Sequence, residues 1–280
     1  MAAPTSAPPS ASRPAPQGTA PILQELSDGI AVLTLNRPEQ RNTLSEAMLA
    51  ALVEALVAIA QDDKVRAVVI ASSGPVFCAG HDLKELMAHR NDRDRGRAYF
   101  QHMMETCSAV MQSIVRLPQP VIAVVQGIAT AAGCQLVASC DLAVASSRAG
   151  FCTPGVDIGL FCSTPMVALT RNVAPKHAMD MLLTGETISA EHASRIGLVN
   201  RVVPAGDERE EALKLARQIA GKSAITVRLG KEAFYRQGEM DLADAYRFAS
   251  QVMVENMLRN DAAEGISAFL EKRPPRWEDR

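Results

Sequence analysis

A chain of 280 residues, 48% hydrophobic and 21% charged, has the composition of an ordinary folded protein with a sizeable core. Its formal charge of −2 excludes a broad polycationic surface for nucleic acid. No run of about 18 uninterrupted apolar residues occurs, which excludes a membrane-spanning helix.

Residues 1–21 hold six prolines, six alanines and one charge, Arg13. This composition cannot bury enough apolar surface to form a core and predicts a disordered tail. A transit peptide needs several arginines on an amphipathic helix, and the tail lacks them. Six cysteines sit in apolar runs without CxxC spacing. Buried, reduced thiols in a cytoplasmic protein are therefore expected.

Residues 22–26 and 30–35 flank Ser27, Asp28 and Gly29, a hairpin signal. Ser45 reads as an N-cap, followed by Met48, Leu52, Ala55, Leu56 and Ile59 at helical spacing. A strand over 65–73 runs into Gly74, Pro75 and then Ala79 and Gly80, with a helix expected from Asp82. The charged run 89–97 predicts a mobile loop. Phe100, Met103, Met104, Cys107, Val110, Met111 and Ile114 repeat at helical spacing, chiefly as core.

Residues 121–125 form a β-branched apolar run introduced by Pro118 and Pro120, which suits a buried strand. Gly127 ends it, and Ala131, Ala132 and Gly133 stand where the next helix begins. Helix N-termini carry unpaired N–H groups at a positive dipole end, and small side chains let an oxygen approach them. The two strand–turn–helix units could each supply one N–H to a two-point oxyanion hole. A further strand at 142–145 and a short one at 149–152 follow. Residues 175–183, 190–196, 208–221, 224–237, 242–260 and 262–271 read as helices. Alternating strands and helices followed by helices alone predict an α/β core with a helical C-terminal third.

The segments FCAGHDLKEL and VIAVVQGIATAAGCQLVASCDLAVA resemble the two signatures of the crotonase, or enoyl-CoA hydratase/isomerase, family. The likeness extends from Leu33, Asn36, Arg37 and Pro38 to Phe269, Lys272 and Arg273, roughly residues 22–273. Residues 159–165 are most similar to the family's enoyl-CoA hydratase domain-containing protein 3 subgroup. The resemblance implies a ββα spiral core over 22–204 and a helical assembly subdomain over 205–280. It implies a homotrimer or dimer of trimers. The substrate would be an acyl-CoA thioester, with coenzyme A as part of that substrate and no prosthetic group or metal.

The resemblance also assigns residues. The thioester oxygen would lie between the N–H groups of His81 and Ala132. The two glutamates that hydratases use as acid and base fall at Gln135 and Gly155, and the acid of the dienoyl isomerases at Ser163. An amide cannot take a proton at neutral pH and glycine carries no group, so ordinary hydration is not expected. Asp157, two residues past Gly155 on a segment read as extended, would point to the same face and is the candidate substitute. Gln135 could position water. Arg37, Arg41, Lys84, Lys272 and Arg273 are candidates for the coenzyme's phosphates, and Ala79 and Gly80 for the adenine turn. Phe100, Met103, Met104 and Cys162 are secondary pocket candidates, with Cys134 beside them. A non-catalytic acyl-CoA-binding or assembly protein is the alternative.

Overall fold

The computed structural model describes residues 20–279, so the tail expectation lies outside the described residues except for Ala20 and Pro21. A six-stranded sheet is built from β1 (Ile22–Ser27), β2 (Ile30–Leu35), β3 (Ala67–Ser72), β5 (Val121–Val125), β7 (Leu142–Ser146) and β10 (Arg201–Val203), side by side in that order. A second sheet holds β4 (Val76–Cys78), β6 (Ile128–Thr130), β8 (Gly150–Cys152) and β9 (Ile188–Ser189). The β1–β2 hairpin and the β8–β9 pair are antiparallel; every other pairing is parallel. Asp28 (φ 52°) and Gly29 (φ 75°) make the hairpin turn, both in the left-handed region that matches strand twist.

Period-two alternation sends side chains to opposite faces of the large sheet. Val121, Ala123 and Val125 of β5 join the main core, whereas Ile122 and Val124 join a second cluster behind it. On the main side lie α1 (Glu46–Ala60) and α3 (Arg97–Arg116). Ser45 caps α1 as expected, accepting from the Met48 amide at 3.3 Å. On the other side lies α8 (Glu208–Ala220), through Ala212, Leu215 and Ala216.

That placement sets α8, which the expected boundary at 204/205 assigns to the helical subdomain, against the core sheet. Helix α8 is one of the layers of the core, because its small apolar stripe lies flat on β3, β5 and β7. The helical extension begins instead with α9 (Ala224–Gln237) and continues through α10 (Leu242–Met257) and α11 (Asn260–Glu271).

The remaining helices complete a repeating path. β3, β4 and α2 (Leu83–Ala88) make one turn of a ββα spiral. β5, β6 and α4 (Ala132–Ser139) make the next; β7, β8 and α5 (Ser163–Leu169) make a third. Helices α6 (Pro175–Thr184) and α7 (Ala190–Arg195) lead back to β10.

One buried polar cluster ties the extension to the core. Lys231 Nζ lies 2.6 Å from Asp141 Oδ2 and donates to the Ile114 and Gln119 carbonyls at 3.0 Å. Tyr235 donates to Asp141 Oδ1 at 2.8 Å, and the Val121 amide to Oδ2 at 2.7 Å. Burial pulls the Lys231 pKa below its usual value, opposed by Asp141, and pushes the Tyr235 phenol up.

Candidate functional site

Two strand ends meet at the candidate site. β4 and β6 are parallel neighbours, with Val76 opposite Ile128 and Cys78 opposite Ala129. The chain beyond each must therefore turn into its helix beside the other. The first turn is braced from the loop before α1: Ala79 N donates to Arg41 O at 3.1 Å and Leu44 N to Gly80 O at 2.7 Å. Asn42, fully buried, accepts from Arg37 N and donates to the carbonyls of Ser73 and Val76. Asp82 then caps α2, accepting from Lys84 N at 2.8 Å and Glu85 N at 3.4 Å.

The contact between the turns is close. A Cβ placed on Gly80 (φ 82°) would stand 3.0 Å from Ala131 Cβ and 3.3 Å from Ala132 N. One on Gly133 would stand 2.2 Å from Cys78 O. Glycine is required at both positions for the backbones to approach. Ala131 adopts φ 52°, ψ −119°, which costs an L-residue about 1–2 kcal/mol. It is held there by donating to Cys152 O at 2.9 Å while its own carbonyl accepts from Gln135 N at 3.1 Å. Among the described residues, no acceptor meets the amide N–H of His81 or of Ala132, the first residue of α4.

The side chains at this corner also carry unpaired polar atoms. His81 Nδ1 lies 3.4 Å from Leu44 O, while its Nε2 is buried with no partner. Burial lowers the imidazole pKa, partly offset by the Leu44 carbonyl, so the ring is neutral at neutral pH. Gln135, 4% exposed on the first turn of α4, has a buried Oε1 without a donor. Thr43 Oγ1, one residue before the Leu44–His81 bridge, is unpaired as well. Buried polar groups are overwhelmingly paired, so such a concentration at two abutting turns calls for a ligand.

The third segment departs from the extended run expected around Asp157. Pro154–Ile158 is a 3-10 helix, not an extended run, because Pro154 fixes a helical φ at its start and Gly159 (φ 76°) ends it. Residues two apart therefore diverge instead of sharing a face. Gly155 is buried, and a Cβ there would meet Leu160 O at 2.8 Å and Cys162 Sγ at 2.9 Å. Asp157 is exposed, its carboxylate 3.1–3.4 Å from the Cβ position of Gly185 at the end of α6. Ser163 is exposed at the start of α5.

The thiols are inert. Burial pushes Cys78 and Cys107 up to about 12, and Cys134, Cys140 and Cys162 also upward, so none of these supplies a thiolate at neutral pH. All six cysteines are free and buried, as expected.

The remaining candidates divide. Arg41 and Lys84 are exposed beside the first turn. Arg37 donates to the carbonyls of Ala20 and Asn36. Lys272 ends α11 in the left-handed conformation (φ 55°). Arg273 is already engaged by Glu264 and Glu271, both at 2.6 Å, which raises its pKa further and argues against a phosphate role without rearrangement. Met103 is core, 1% exposed, and Met104 packs against the core.

The charged run 89–97 holds defined structure. His89 stacks on Tyr99 with ring centroids 3.6 Å apart, and the Asp94 carboxylate accepts from the amides of Gly96 and Ala98. Phe100 lines a cavity of about 390 Å³ with Arg90, Asp94, Arg95 and Arg97, a mostly cationic lining. Four arginines within eight residues were the signal for it. A larger cavity, about 960 Å³, lies between α11 and the segment from Arg273 to Glu278.

Two stacked strand–turn–helix units and a ββα spiral define a crotonase-type protein, and residues 25–280 match the family described as enoyl-CoA hydratase/isomerase. The chain belongs to that family. It is 50% identical over 250 residues to human enoyl-CoA hydratase domain-containing protein 3, mitochondrial, covering 89% of this chain and 81% of that one. The rat counterpart is 48% identical over 271 residues, 96% of this chain and 89% of its own. Among solved structures, an enoyl-CoA hydratase from Mycobacterium smegmatis superposes with a TM-score of 0.88 at 53% identity, covering 92% of this chain and 98% of that one. The human domain-containing protein 3 gives 0.87 at 50%, covering 92% and 100%.

Proposed function

We propose that the protein binds a coenzyme A thioester with its carbonyl oxygen between the amides of His81 and Ala132, and that it promotes reactions passing through an enolate. The observation that carries this reading is the abutment of Gly80 on Ala132, with both neighbouring N–H groups free of internal acceptors. Preorganised donors of this kind lower an enolate-forming barrier by about 3–4 kcal/mol each. Arg41, Lys84 and Lys272 are the exposed cations suited to the coenzyme's phosphates, and Ala79 and Gly80 offer backbone to its adenine. The thioester supplies the only coenzyme the reaction needs.

Calorimetry against acyl-CoA thioesters and the corresponding free acids tests this directly. Thioesters bind, more weakly at high salt, and free acids do not. Absence of heat with every thioester overturns the reading.

A second reading, an acyl-CoA-binding or assembly protein without turnover, is favoured by one observation: Gln135 and Gly155 offer no proton carrier. Activity profiling separates the two. Among the described residues no helix is long and apolar enough to cross a membrane. The cytoplasmic placement expected from composition stands as our proposal, with mitochondria, named for the animal relatives, as its rival. Localisation in the native host decides between them.

A further inference from the structure

Resting on the acyl-CoA reading above, we infer that the His81 imidazole moves the substrate's α-proton, through Nε2, in place of the missing carboxylates. The inference begins with elimination. At the two positions where family hydratases carry glutamate, this chain has an amide and a glycine. Asp157 turns toward the end of α6, and Ser163 is exposed on α5. The thiols of Cys134 and Cys162 stay protonated. Of these groups and the His81 imidazole, only the imidazole has a free, buried lone pair that can take a proton at neutral pH.

Its geometry suits the task. The Nδ1–H donates to the Leu44 carbonyl, which fixes the tautomer and leaves the Nε2 lone pair free. That Nε2 is buried and has no partner. The ring belongs to the same residue whose amide would hold the thioester oxygen, so base and donor are positioned together. Gln135 Oε1, on the first turn of α4, is an acceptor without a donor and can orient a hydroxyl, a water or an N–H, but cannot take a proton.

The step balances within the substrate and the ring. The Cα–H bond breaks and its proton passes to Nε2. The electron pair moves into the bond between Cα and the carbonyl carbon, and charge collects on the thioester oxygen. Imidazolium and enolate then form an ion pair, which offsets the cost of charging a buried ring. The ring exchanges its proton with solvent and returns one to carbon.

Neighbouring charges leave the ring's titration simple. Asp82 is engaged by the amides of Lys84 and Glu85, and Glu85 accepts from Glu46 N on α1. Burial and the Leu44 carbonyl are the causes acting on the ring. Exchange should therefore be present at neutral pH and be lost as pH falls through a single ionisation below the usual imidazole value.

The test is deuterium uptake at the α-carbon of butanoyl-CoA and octanoyl-CoA in D₂O, read by mass spectrometry with the full chain. His81→Gln and His81→Ala keep the backbone amide. Their exchange rate should fall about 10²–10⁴-fold, with thioester affinity by calorimetry changed only a few-fold. Exchange at the wild-type rate in a folded variant overturns the inference. So does thioester binding by the wild type without exchange. Should neither variant fold, a wild-type profile with no loss of exchange as pH falls, down to the pH at which the protein unfolds, overturns it by itself. Failure of every thioester to bind removes the acyl-CoA reading too, a result distinct from binding without exchange.

Discussion

Every residue of α4, from Ala132 to Ser139, is buried; in α9 and α10 none is buried as a whole, although the Lys231 side chain is. The two regions leave opposite things unfinished. The corner around α4 keeps polar atoms inside without partners: Gln135 Oε1, His81 Nε2 and two backbone amides. The extension keeps apolar side chains outside without cover: Phe269 is 83% exposed, Leu242 75% and Leu258 74%. Unpaired buried polarity asks for a small polar ligand, whereas uncovered apolar surface asks for protein. The difference teaches that unpaired buried polarity and uncovered apolar surface occupy separate parts of this chain, joined through Asp141 and Lys231.

The largest effect sharpens the chemical half of the contrast. Hydration of crotonyl-CoA should run about 10³–10⁶-fold below that of an ordinary hydratase, because two carboxylates that act as one unit are missing. Loss of the enoyl-thioester absorbance measures it. Gln135→Glu alone should recover part of the rate. Gly155→Glu should not, since its Cβ would collide with Leu160 O and Cys162 Sγ. Near-normal hydration by the wild type would mean that a proton carrier substitutes for both carboxylates.

Breaking the joint comes next. Asp141→Ala leaves Lys231 charged in a buried site and strands Tyr235 and the Val121 amide; about 3–5 kcal/mol of stability should be lost in urea unfolding. A loss below about 1 kcal/mol would show that water replaces the carboxylate there.

The assembly half is tested by mass. Light scattering should find a trimer or a dimer of trimers, and Phe269→Asp with Leu258→Asp should shift it toward smaller species. A stable monomer at micromolar concentration would leave the exposed apolar surface without its expected cover.

Acid should loosen the C-terminal segment before the core. The hydrogen bond from Arg273, and then that from the Arg276 amide, hold Glu264 at about 2. A carboxylate so depressed contributes fully above its ordinary value of 4.5 and loses that contribution as pH falls toward 2. Asp261 works in the same direction: burial opposes the shift, and hydrogen bonds from Ser223 and the amides of Glu278 and Asp279 outweigh it. Trp277, the single tryptophan, donates from Nε1 to Gly221 O, so its fluorescence should change across that window. No change would separate the segment's anchoring from these acids.

The smallest effect belongs to Ala131→Gly. Relief of about 1–2 kcal/mol of left-handed strain is offset by about 0.5–1 kcal/mol of extra chain entropy. Thermal unfolding should shift upward by only a few degrees.

Much of this fold is legible from local pattern. Helix α9 lies where helical spacing puts it, Ser45 and Asp82 cap their helices, and the Asp28–Gly29 turn is where it reads. The two small-residue turns that build the corner are legible too. Three kinds of feature are not. Three-residue strands such as β4 and β6 are too short for a period, although their pairing creates the site. The Pro154–Ile158 turn reads as extended from its neighbours, although Pro at a first helical position favours a turn of helix. Long-range partners leave no local trace: nothing near Asp141 announces Lys231, and nothing near Arg273 announces Glu264.

The Leu44–His81 bridge and the β4–β6 pairing have a consequence in time. Each joins segments that leave the ribosome well apart, and parallel strands cannot pair before their crossover exists. At about 5–20 residues per second, the first turn waits several seconds for Ala132 to be made, and Asp141 waits longer for Lys231. A nascent chain stalled before α4 thus carries one of the two turns and an open sheet edge at β5, the stage at which a chaperone has most to protect.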